Sequence, residues 1–145
     1  MTPEARARRS AEVMWGEDAA SKWLGMTLDA VGPGTATLSF TVAAHHCNGH
    51  GICHGGYIFT LADSAFAFAC NSYNRLVVAQ HNQISFLHPG RLGARLVATA
   101  REVTRAGRTG IYDAEVHDAE TLIATFRGVS REIGGTHFDE EEDEA

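Results

Sequence analysis

The run from His54 to Asp63 holds the two groups best suited to chemistry. Asp63 is the only charged residue between Gly55 and Tyr73, and its neighbours at helical spacing are Phe59, Thr60, Phe66 and Ala67. A carboxylate held against such a surface loses solvation, so its pKa rises and it becomes a stronger base. A structural alternative is a hydrogen bond to a nearby hydroxyl, on Thr60 or Ser64. His54-Gly55-Gly56 opens the same helical run. A helix N-terminus offers unpaired N–H groups and a positive dipole end, and glycine lets a ligand come close to that backbone. Such a place can hold a carbonyl oxygen as it becomes an oxyanion. The glycines suit a tight loop-to-helix turn equally well.

Spacing constrains how the two groups can cooperate. Gly55 and Asp63 lie about 12 Å apart along one helix axis, at ~1.5 Å per residue, so they cannot both reach one carbonyl. Two such helices facing antiparallel across a two-fold axis would bring Gly55 of one subunit to Asp63 of the other. Joint use of both groups therefore requires an obligate dimer with two equivalent interfacial sites.

The elements around these groups follow from the hydrophobic pattern. Thr2-Pro3-Glu4 reads as the cap and first turn of a short helix reaching Trp15. Two strands occupy the stretch from Lys22 to Ala43, split by Gly32-Pro33-Gly34. In the second, Ala36, Leu38, Phe40 and Val42 share one face. Gly55–Tyr73 is apolar almost all round, as a buried helix is. Strand-like stretches follow near Val77–Leu87, Arg95–Thr104, Thr109–Val116 and Thr121–Glu132. About six antiparallel strands and one long helix predict an α+β fold with the sheet curled around the helix. The chain divides into an N-terminal helical segment 1–20, a domain 21–134 and an acidic tail 135–145.

Composition narrows the function classes. The 145 residues suit one domain, and the formal charge of −6 arises in Asp139–Glu144, because without those six acids 12 bases face 12 acids. That tail reads as disordered and removable from residue 137 without loss of activity. The balance does not fit a nucleic-acid binder, and no apolar run has the length of a membrane span. The odd set Cys47, Cys53 and Cys70 predicts reduced thiols in a cytoplasmic protein.

The segment from Asn48 to Ser72 resembles the signature of hotdog-fold acyl-CoA thioesterases, most closely those of phenylacetic acid degradation. The resemblance rests on Asn48-Gly49 with His54-Gly55-Gly56, then Leu61-Ala62-Asp63-Ser64-Ala65, then Ala69-Cys70-Asn71-Ser72. It extends from about Glu12 to Glu132. It implies a hotdog fold and hydrolysis of acyl-CoA, with phenylacetyl-CoA or its hydroxylated forms as substrate. Asp63 would then activate water or attack the thioester itself, and Gly55 would supply the oxyanion N–H. Asn48 would position the carbonyl or the water, His54 would orient the loop, and Ser64 would bond near Asp63. The family often carries Thr at the Ser64 position. The resemblance also implies a homodimer or dimer of dimers, no metal and no organic cofactor. Arginine's fork suits phosphate, and Arg91, just after Pro89-Gly90, is the candidate contact to CoA.

Other readings remain open at this level. His45, His46, Cys47, His50, Cys53 and His54 crowd one loop, but they lack the close cysteine pairs of a zinc site, and Gly49 and Gly51 oppose a helix that would align the histidines. A hotdog hydratase or dehydratase would use His54 with Asp63 as acid and base. A non-catalytic acyl-CoA binder would have no need of Asp63. Tyr57, Phe59, Phe66 and Phe68 either line an aromatic pocket or pack the core.

Overall fold

In the computed structural model, which describes residues 1–144, the chain runs through α1 (Pro3–Glu17), α2 (Ala19–Leu24), β1 (Thr27–Gly32) and β2 (Thr35–Thr41). A single 3-10 turn at Ala44–His46 precedes α3 (Gly55–Cys70) and β3 (Val77–Phe86). Then come β4 (Arg95–Ala106), β5 (Thr109–Asp118), β6 (Thr121–Glu132) and α4 (Glu140–Glu144). The strands form one antiparallel sheet in the order β1-β2-β4-β5-β6-β3, so β1 and β3 are its edges. The sheet curls around α3, which is the hotdog arrangement.

The core follows from the strand period meeting an apolar helix. Leu38, Leu96, Ala98, Val116 and Ala124 point inward and are fully buried, as are Leu61, Ala62 and Ala65 of α3. Phe66 and Phe68 are core residues, whereas Tyr57 and Phe59 are partly buried against that core. Packing is close on β6: a Cβ at Gly128 would stand 2.8 Å from the Phe66 ring. No helix among the described residues is long and apolar enough to cross a membrane.

Local chemistry sets the element ends. Thr2 Oγ1 accepts the Ala5 N–H at 3.1 Å, and Asp18 Oδ1 accepts the Ser21 N–H at 2.9 Å, capping α1 and α2. The segment from Lys22 to Leu24, which the sequence assigns to a strand, is therefore helical, and Gly25 closes it at φ 91°. The long helix ends at Cys70 rather than Tyr73, because Asn71 takes over there. Its Nδ2 donates to Ala67 O at 2.9 Å and to Val77 O at 3.1 Å, while its Oδ1 accepts the Val77 N–H at 3.0 Å. One buried amide thus ties the end of α3 to the start of β3.

The tail makes contacts that its sequence alone does not announce. Its first residues lie on the body: Asn74 Oδ1 accepts the N–H groups of His137 and Phe138 at 2.9 and 3.2 Å, and the His137 ring lies 2.9 Å from Asn71 Oδ1. The acids face α1, where Arg6 meets Glu140 at 2.6 Å and Arg9 meets Asp143 at 3.2 Å. Counting the tail's charge apart from α1 hides this match. Ion pairs that remain open to solvent add little stability, whereas hydrogen bonds to the buried Asn71 and Asn74 amides add more. Deleting residues 137–145 is expected to lower the midpoint of thermal unfolding by roughly 5 °C, and deleting only 139–145 by less than about 2 °C. Equal losses in the two deletions would mean that the acidic residues, not His137 and Phe138, hold the tail.

Candidate active site

Helix α3 runs antiparallel to β3 along the free edge of the sheet, and it carries the candidate groups at defined heights. Gly55 sits under Phe86: a Cβ there would come within 3.1 to 3.6 Å of the Phe86 ring. Asp63 sits beside Asn82, whose Nδ2 donates to Asp63 Oδ1 at 2.7 Å. Asn71, at the far end, meets Val77. Three helix residues thus mark three points along one strand.

Asp63 is partly buried, and burial holds its carboxyl above the ordinary carboxylate range, while the Asn82 bond pulls in the opposite direction. Neither hydroxyl expected from the sequence is its partner. Thr60 Oγ1 donates to Gly56 O at 2.8 Å. Ser64 Oγ pairs instead with Ser21 Oγ at 2.9 Å, and Ser21 donates to Asp18 Oδ2 at 2.7 Å. Ser64 therefore fastens α3 to α2 and does not bond Asp63. The partner that sequence reasoning missed is Asn82. Its only signal was parity, since Asn82 shares the inward face of β3 with Ile84 and Phe86, opposite Gly128, Phe126 and Ala124 of β6.

The N-terminus of α3 is capped by a side chain of the loop before it. His54 Nδ1 accepts the Gly56 N–H at 2.8 Å, which caps the helix. His54 lies at the opposite end of this stretch of helix from Asp63, so the two do not form an acid–base pair within one chain. Among the described residues, no acceptor meets the Gly55 N–H. Asn48 Oδ1 takes the His50 N–H at 2.9 Å, so its Nδ2 remains as a donor. Gly55 and Asn48 line one groove of about 450 Å³ with Ile52, Ile58, Phe86 and Leu87. Phe86 and Leu87 are both about half exposed there, an apolar wall beside two unclaimed donors. Arg91 lies at the same end, bridged to Ile52 through the backbone and exposed.

The crowded loop does not gather a metal cluster. Among the described residues no three His, Cys, Asp or Glu side chains converge in that way. His46 is buried, with Nδ1 accepting the Ala43 N–H at 2.9 Å and Nε2 3.0 Å from Leu24 O. Of the arginines in the β-rich half, Arg75, Arg95, Arg101, Arg105 and Arg127 are in ion pairs with acids.

Comparison with known proteins places this geometry in context. The thioesterase superfamily pattern matches residues 50–125. The acyl-coenzyme A thioesterase PaaI of Escherichia coli K12 is 44% identical over 132 residues, covering 90% of this chain and 94% of that protein. The solved structure of E. coli PaaI, from the phenylacetic acid degradation operon, superposes with a TM-score of 0.91 at 42% identity over 93% of this chain and 99% of that one. A mutant of the phenylacetic acid degradation protein PaaI from Thermus thermophilus gives a TM-score of 0.78 at 36% identity, over 80% of this chain and 100% of that one. A Streptococcus mutans protein bound to acetyl CoA gives 0.74 at 25% identity, over 77% of this chain and 91% of that one.

Proposed function

The chain belongs to the thioesterase superfamily, and from that premise we propose that it hydrolyses acyl-CoA thioesters to the free acid and CoA thiol, with phenylacetyl-CoA and its hydroxylated forms as substrates. The observation that carries this reading is the placement of an unclaimed Gly55 N–H and a partly buried Asp63 at two heights along the same free strand edge. The names of the E. coli and T. thermophilus relatives support the substrate class.

Symmetry completes the site. From Gly55 to Asp63 the helix rises about 12 Å, and from Phe86 to Asn82 the strand spans about 14 Å, so the two pairs lie side by side. A two-fold axis through β3 near Ile84, midway between Asn82 and Phe86, pairs the free edge with its copy. The same axis sets Asp63 of one subunit against Gly55 of the other. Val78, Phe86 and Leu87 are exposed apolar groups on or beside that edge, as an interface requires. The working unit is a homodimer, and dimers of this kind can pair again into a tetramer.

In each site the thioester carbonyl lies in the groove, its oxygen facing Gly55 N–H and Asn48 Nδ2. These donors strengthen as negative charge develops on that oxygen. Asp63 of the facing subunit takes a proton from water as the water oxygen attacks the carbonyl carbon. The tetrahedral intermediate collapses by breaking the C–S bond, and the proton passes to the departing CoA sulfur. Burial makes Asp63 a better base than an exposed carboxylate. His54 holds the capped loop, Ser64 anchors the helix, and Arg91 at the groove mouth meets a CoA phosphate. No metal or organic cofactor takes part. An odd set of three cysteines in a chain long enough to bury its own core supports action in the cytoplasm.

The test is release of CoA thiol from a panel of acyl-CoAs. Arylacetyl-CoA should give the highest kcat/KM, and the absence of turnover on every acyl-CoA would overturn the reading. Hydrolysis in heavy-oxygen water under single turnover separates the two roles of Asp63, because label in Asp63 itself would identify a nucleophile. The Asn82 bond makes a further prediction. The active form of Asp63 is the carboxylate, so activity falls as pH drops through its pKa. Asn82→Leu removes the bond that favours the carboxylate, so the acid limb of kcat/KM should move to higher pH. An unmoved limb would mean that Asn82 does not act on the catalytic group.

A further inference from the structure

The loop that carries Asn48 also holds two thiols in a geometry that neither the fold nor hydrolysis requires. Cys47 and Cys53 face each other as partners of an isolated antiparallel bridge. The bonds that flank them, Asn48 N–H to Ile52 O at 2.9 Å and His54 N–H to His46 O at 2.8 Å, make them a non-hydrogen-bonded pair. Partners of that type have Cα atoms about 4.5 Å apart and side chains on one face. Disulfides accept Cα separations from about 4.4 Å upward, so the backbone already stands at the near limit of the range that a bond tolerates.

We propose that Cys47 and Cys53 form a reversible disulfide, with a low-molecular-weight disulfide as the oxidant, that locks the Asn48 loop against the start of α3. The two thiols differ in access. Cys47 is half-buried, whereas Cys53 is buried beside Gly90, and its Sγ lies 3.6 Å from His54 O. Burial and the nearby Cys47 push the Cys53 thiol up to about 11, so it stays protonated until a partner sulfur is beside it.

Cys47 is thus the entry thiol. Its thiolate attacks one sulfur of the oxidant, the oxidant's S–S bond breaks, and one thiolate leaves and is protonated by water. Cys53 Sγ then gives up its proton and attacks Cys47 Sγ, expelling the second thiol. Both cysteines are oxidised, two electrons pass to the oxidant, and two small thiols are released. The closed ring contains Asn48, and it ends next to His54 and Gly55. Cys70, buried in α3, stays out of the reaction.

The experiment treats the full-length protein with oxidised glutathione and counts thiols after unfolding. One titratable thiol should remain, that of Cys70, with a 47–53 cross-link in the peptide masses and all three thiols restored by dithiothreitol. Oxidation should raise the unfolding midpoint by about 5 °C, and in Cys47→Ser this shift should be absent. Amide exchange at Gly49, His50 and Gly51 should slow roughly tenfold in the oxidised form. Three unreacted thiols, or a glutathione that stays on Cys47 as a stable mixed disulfide, would overturn the proposal. So would a cross-link that leaves exchange in the loop unchanged.

Discussion

Asp63→Asn is expected to lower kcat by a factor on the order of a thousand while KM moves within about threefold, as befits removal of a base that acts in the transition state. The substitution keeps the shape and leaves an oxygen for Asn82 Nδ2, so the bond now 2.7 Å long can persist. Its effect on stability has the opposite sign to its effect on rate. Burial raises the Asp63 pKa in the folded chain, whereas the unfolded chain ionises at the ordinary value. Below the ordinary value both states are protonated, and Asp63 costs nothing. As pH rises from the ordinary value through the raised one, the unfolded state ionises first and folding loses stability. Asparagine has no such loss, so above that window the variant should unfold at a higher temperature than the parent. A variant that is both inactive and more stable shows a site that trades stability for chemistry. Near-parental turnover would remove Asp63 from the mechanism.

The second large effect concerns assembly. Gln83 and Ser85 are exposed on β3, on the face away from α3. In the proposed dimer, with its axis near Ile84, residue 83 of one subunit stands opposite residue 85 of the other. The double variant Gln83→Lys with Ser85→Lys therefore places four ammonium groups across the axis, where like charges directly opposite repel. The dimer Kd is expected to rise by roughly a hundredfold, and specific activity should fall with dilution as dimers separate. Each monomer should keep its fold, because both positions lie outside the core. Sedimentation and activity measured over one dilution series check this. A fully active monomer would contradict a site shared between subunits.

Much of this molecule can be read from its residues, and the exceptions have physical causes. The strands β3 to β6 were legible because their hydrophobic period is regular, and the start of α3 at Gly55 because a glycine pair before an apolar run is a local signal. Asn82 was not legible as Asp63's partner, since nothing in a strand sequence says which helix residue lies across from it. Ser64 illustrates the converse. Adjacency in sequence suggested a bond to Asp63, but one step along a helix turns the side chain by about 100°, and Ser21 lay in that direction. The segment from Lys22 to Leu24 was misassigned because an Asp18 cap outweighs a short apolar pattern. The tail's contacts were not legible because their complement, Arg6 and Arg9, sits at the other end of the chain.

The match between eight residues of α3 and four residues of β3 limits how this scaffold can change. One extra residue between Gly55 and Asp63 would lengthen the helix by about 1.5 Å and swing one of the two groups by about 100° around the axis. One extra residue between Asn82 and Phe86 would turn every later side chain of β3 to the opposite face. Neither error can be offset by the other, because a rotation of the helix and an inversion of the strand are different motions. A substitution in this stretch acts at one side chain, whereas a change of length displaces every group that follows. Insertions and deletions should therefore be tolerated in the β4–β5 and β5–β6 turns and excluded from these two intervals, which together act as a ruler for the proposed shared site.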